Sequence, residues 1–98
     1  MTDKRIAQQH HATFESIRQL DGDGHEFWSA RDLGPLLEYQ DWRNFLQVVD
    51  KARVSCEQSG RAVADHFGDV TKMVVIGSGA RRELPDVRLS RYACYLIV

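Results

Sequence analysis

The sequence predicts an α+β domain, mainly helical, with a helix-turn-helix-like pair and a wing-like β-hairpin. Three observations predict it. Trp42, Phe45, Leu46, Val49, Ala52 and Cys56 recur at helical spacing and share one face. The polar turn "EYQD" (38–41) separates that helix from an earlier one. Beyond residue 69 the period changes: the β-branched run "VTKMVVI", the turn "GSGA" and the arm "RRELPDVRL" follow in order.

Each element has its own local reason. Residues 3–19 carry a helical pattern, with Ile6, Thr13, Phe14 and Ile17 near one face. A rival reading pairs Phe14–Leu20 with His25–Trp28 as a hairpin across the turn "DGDG". Ser29 is placed to cap the next helix, about 30–38, and "SARD" resembles a capping box. Leu33, Leu36 and Leu37 face inward, and Gly34-Pro35 should weaken or kink this helix. Asp41 caps the long helix and Gly60 closes it. "VADHF" (63–67) is a short helical turn. Pro85 assigns the second hairpin arm to a sheet edge, because proline cannot donate to a ladder. Ser90 caps a last helix beginning "RYACYLIV". One domain is expected over residues 1–98, with 1–12 as a flexible N-terminal extension and a cut inside the last helix. The apolar end left there is expected to drive a homodimer.

Charge is uneven. The whole chain has a formal net charge of -1 and an apolar fraction of 43%, enough for a core and without an overall pull toward polyanions. Residues 70–98 hold Lys72, Arg81, Arg82, Arg88 and Arg91 against Glu83 and Asp86, so the excess is local. Cys56 and Cys94 fall on apolar helix faces and read as buried thiols of a reducing compartment. No stretch reaches membrane-spanning length and no signal peptide opens the chain, so a cytoplasmic protein without membrane contact is expected.

Most site motifs fail on chemistry. "GSGARR" puts Arg82 where a dinucleotide loop needs its third glycine. "DGDGHEFWSARD" supplies Asp21 and Asp23 at calcium positions one and three, but Glu26 replaces the required glycine and Asp32 the closing glutamate. No zinc spacing exists, and a Cys56–His66 nucleophile pair lacks an orienting partner. No metal, cofactor or catalytic residue is expected, and the chain is read as no enzyme. The long helix presents Arg43, Asn44, Gln47 and Lys51 outward, residue types that contact base edges and phosphates. The alternative is an ordinary wet helix face. Lys72, Arg81, Arg82, Arg88 and Arg91 are the hairpin's phosphate candidates.

Four stretches carry a resemblance: "FWSARDLGPLLEYQDWRNF" (27–45), "SCEQSG" (55–60), "DHF" (65–67) and "GSGARRELPDVRLSRYACYLIV" (77–98). They closely resemble the N-terminal part of the bacterial DNA-damage-inducible protein D family, in one register from about Thr13 to Val98. The domain type is similar to the N-terminal (BRO-N) domain of baculovirus repeated-ORF proteins and phage antirepressors. The resemblance implies a cytoplasmic, DNA-associated regulatory factor of the SOS response, and it carries no catalytic residues across. The partners expected are DNA, single- or double-stranded, and the recombinase filament. The competing reading is a protein-interaction module that docks on a repressor or on that filament.

Overall fold

The computed structural model describes residues 13–98. After a helical turn at 13–16, the elements are β1 (Gln19–Leu20), β2 (Glu26–Ser29), α1 (Ala30–Leu36), α2 (Trp42–Gln58), a 3-10 turn (Val63–Asp65), β3 (Phe67–Val75), β4 (Arg81–Leu89) and α3 (Arg91–Ile97). The strands form one antiparallel sheet in the order β1-β2-β4-β3. That sheet corrects the expectation of a mainly helical fold. The hairpin is no appended wing, because Phe67, Val87 and Leu89 at its base belong to the core. The rival hairpin reading holds in part: Gln19 and Leu20 pair with Phe27 and Glu26. Of the helix expected over 3–19, residues 13–16 are helical, but the chain leaves the helix at Ile17 and Gln19 belongs to β1; residues 3–12, and the extension 1–12, lie outside the described residues.

α2 forms as its spacing requires. Phe45, Val49, Ala52 and Cys56 are buried, and the Asp41 side chain accepts from the Arg43 amide. Gly60, at φ 82°, lets the Arg61 amide reach the Cys56 carbonyl and closes the helix in a Schellman motif. Trp42 is only half-buried, with the Arg31 guanidinium 4.1 Å over its ring.

α1 is capped differently from expectation. The Ser29 side chain makes no cap bond; its hydroxyl donates to the carboxylate of Asp86 on β4. That carboxylate, 4% exposed, also accepts from the Arg31 amide at 3.0 Å. A distant acid therefore stands where the local serine was expected, and its charge suits the positive end of the helix dipole. Gly34 has a packing role as well: a Cβ there would sit 3.1 Å from the Phe45 ring. Pro85 lies on an interior strand, contrary to the edge expectation. It is tolerated because β2 pairs with β4 only at Arg88 and Leu89. Beyond that point the α1 side of β4 is open, and Arg31 Nε donates to the Pro85 carbonyl there. In a strand a residue's N–H and C=O point the same way, so the donor that proline lacks faces no ladder partner.

α3 starts at Ser90, whose side chain accepts from the Ala93 amide. Ala93 and Cys94 are buried, and Leu96 and Ile97 pack against the core of the same chain. Tyr95 and Val98 are exposed.

Candidate nucleic-acid interface

The distal hairpin extends away from the core. Between Phe67 and Asp86 no residue is buried. Met73 is 51% exposed and Val75 72%. The turn closes through Ile76–Ala80 and Gly79–Ile76 backbone bonds, with Gly79 at φ 80°. This is a three-residue loop ending in a left-handed position, which glycine adopts without penalty. Arg81 and Arg82 follow it, both exposed. Among the described residues neither has an ion pair or a side-chain hydrogen bond.

The other basic candidates are placed differently. Lys72 pairs with Asp32 of α1. Arg91 is spent in the structure: its Nε and Nη2 donate to Glu26 at 2.9 and 3.1 Å, and Nη1 donates to Glu15 at 2.6 Å. Its plane also lies 4.9 Å from the Trp28 ring centre. The two carboxylates hold the guanidinium proton more tightly than usual, and Arg91 in turn holds Glu26 below the usual carboxylate range. Arg88 is exposed but covers the Phe27 ring at 4.4 Å.

On α2, Arg43, Asn44, Gln47 and Lys51 are all exposed, as the spacing predicted. They do not join the hairpin in one patch. Arg53 marks the flank of α2 that meets the sheet, since its guanidinium bonds Asp69 of β3 at 2.8 Å. At about 3.6 residues per turn, Asn44 lies on the opposite side of the helix from Arg53, and Gln47 and Lys51 are also well round from it. The structure therefore separates two surfaces: a polar helix face and a basic hairpin tip.

The three groups of the "DGDGH" turn, Asp21, Asp23 and His25, come within 4.8 Å of one another. The Asp21 carboxylate is occupied by the amides of Asp23 and His25 at 2.9 Å, which also holds it below its ordinary range. Cys56 and His66 do not meet: the thiol faces the Arg61 carbonyl, and His66 Nδ1 is 2.7 Å from Ser90 Oγ. Burial pushes the Cys94 thiol up to about 12.

Comparison with known proteins places this architecture. The profile of the BRO family, N-terminal domain, matches residues 16–98. The chain belongs to that family. This BRO N-terminal domain is also similar to DNA damage-inducible protein D of Escherichia coli (strain K12), with 50% identity over 90 residues. That alignment covers 92% of this chain and 33% of the relative, so the chain spans about a third of the relative's length. The resemblance read from "WSAR" and "LSRYACYLI" is borne out. No solved structure matches. Both surfaces lie within the matched residues. Among the described residues of the domain, no helix is long and apolar enough to cross a membrane.

The sequence offered no local signal for the fate of Lys72 and Arg91. Their carboxylate partners are 40 residues away in one case and 65 and 76 in the other. Exposed Met73, Val75 and Ile76, read as strand residues, were not recognised as surface.

Proposed function

We propose that this BRO N-terminal domain is a non-enzymatic, DNA-binding regulatory module of the bacterial DNA-damage (SOS) response, working in the cytoplasm. The observation that carries the reading is the hairpin tip, where two arginines without ionic or hydrogen-bond partners among the described residues follow a small-residue turn and project from the core. The relative's name supports the damage-response context. The polar face of α2, with Arg43, Asn44, Gln47 and Lys51, is a second contact surface.

A salt titration tests it. Each phosphate neutralised on duplex DNA contributes about -0.9 to the slope of log K against log salt. The two hairpin arginines alone predict a slope near -1.8, and Arg43 and Lys51 would bring it to roughly -3.6. Absence of DNA binding at low salt would sink the proposal.

A second reading has its own observation. Tyr95 on α3 is 58% exposed and Val54 of α2 is 52% exposed. Such groups suit docking on a repressor, on the recombinase filament or on a second copy of the domain. That association would show little salt dependence, and sedimentation at micromolar concentration would detect the self-association.

A further inference from the structure

The register of the hairpin decides where its two arginines point. Arg81 pairs with Val75 and Arg82 with Val74. Neighbours along a strand point to opposite faces, and directly paired residues share one. Arg81 therefore stands on the face that carries Phe67, Val87 and Leu89 at the base of the sheet. Arg82 stands on the other face, with Leu84, Asp86 and Arg88. Each face of the ribbon tip thus carries one guanidinium that has no partner among the described residues, beside an apolar side chain.

The tip also has reach. Arg81 is six residues from Val87, the nearest core residue of β4 on its face. At about 3.3 Å per residue this puts it roughly 20 Å out from the core. The leading loop, Gly77-Ser78-Gly79-Ala80, carries no bulky side chain.

A flat or single-sided polyanion would meet one face and leave one arginine idle. A groove meets both. The major groove of B-DNA is about 12 Å wide and admits a two-stranded β-ribbon, whereas the minor groove is about 6 Å wide. We infer that the hairpin enters the major groove of duplex DNA tip first, with Arg81 and Arg82 each holding a phosphate on opposite walls. The small loop then reaches the base edges. Ile76, one step nearer the tip and 42% exposed, lies towards the groove floor, where thymine methyl groups are the apolar partners. This rests on the DNA-binding reading and specifies how that binding is made.

The test compares single and double variants on duplex DNA. Arg81→Ala and Arg82→Ala should each lower the salt slope by about 0.9, and the double variant by about 1.8. Binding to a duplex whose major groove is filled by glucosylated hydroxymethylcytosine should fall at least tenfold. A minor-groove ligand such as netropsin should leave binding unchanged. Circular dichroism and thermal unfolding of each variant confirm that the fold is kept, as expected at exposed positions. One silent arginine would overturn the two-walled contact. Full binding to the glucosylated duplex, or equally tight binding to single strands, would overturn groove entry. If the unsubstituted chain binds no DNA at all, the DNA-binding reading itself fails, which is a separate outcome.

Discussion

Two regions of this domain are rich in arginine and use it in opposite ways. At the base, Arg91 lies between Glu15 and Glu26 and over the Trp28 ring, which itself stacks on Phe14 at 4.4 Å and donates to the Phe14 carbonyl. At the tip, Arg81 and Arg82 have no ionic partner among the described residues. A guanidinium with two carboxylates has its donors filled and serves the fold. One without them keeps five donors for an outside anion. Local positive charge is therefore a poor guide to function until its internal partners are counted.

The largest effect expected on the base is from Asp86→Ala. It leaves the Ser29 hydroxyl and the Arg31 amide without their acceptor and removes the charge from the α1 N-terminus. The loss should be about 3 kcal/mol, or roughly 15 °C in melting temperature, measured by thermal unfolding. An unchanged melting temperature would mean that the base does not depend on this carboxylate.

Arg91→Ala comes next. It should lower the melting temperature by roughly 5 °C and leave the slope of DNA binding against salt unaltered. A lower slope would return Arg91 to the binding surface and blur the contrast with the tip. The same pair predicts an acid limb. The Arg91 guanidinium depresses Glu26 from its ordinary 4.5, so Glu26 contributes stability above that value. The contribution is lost as pH falls below 4.5 and through the folded-state value. Unfolding followed from pH 6 to pH 3 should show a shallower loss in Arg91→Ala than in the parent chain.

The smallest effect on stability is expected at the tip. Arg81→Ala with Arg82→Ala should change it by less than about 0.5 kcal/mol, because neither side chain is buried or paired among the described residues. A larger loss in thermal unfolding would show that the tip arginines also serve the fold.

Elements set by short-range rules were legible in the sequence. α2 repeats its apolar face over four turns and has a good cap at each end. The hairpin announces itself through β-branched residues and a glycine turn. The two cysteines were placed correctly because they continue the apolar faces of α2 and α3. Elements defined by distant partners were not legible. β1, two residues long, was legible only through the rival hairpin reading, which its pairing with β2 bears out in part. Ser29 satisfies every local rule for a cap, yet it donates to an acid 57 residues further on. Pro85 signals an edge, yet it sits on interior β4, which tolerates it because β2 stops short of that proline. In the candidate site, the exposure of Arg43, Asn44, Gln47 and Lys51 followed from helical period alone. The engagement of Lys72 and Arg91 depended on how α1, β2 and the first helical turn fold against the sheet, which no spacing along the chain encodes.

The burial of Cys56 and Cys94 makes the folded domain slow to react with thiol reagents. The thiolate is the nucleophile, and with its thiol pushed up to about 12, Cys94 carries almost none at neutral pH. Reaction with maleimides or disulfide probes should therefore wait for the core to open, so its rate reads the stability of the base. A cysteine placed at Ser78, in the small-residue loop, would react at once. The same chain would then carry one fast thiol at the tip and two slow ones in the core, so a fluorophore or cross-linker could be set on the hairpin without first removing the native cysteines.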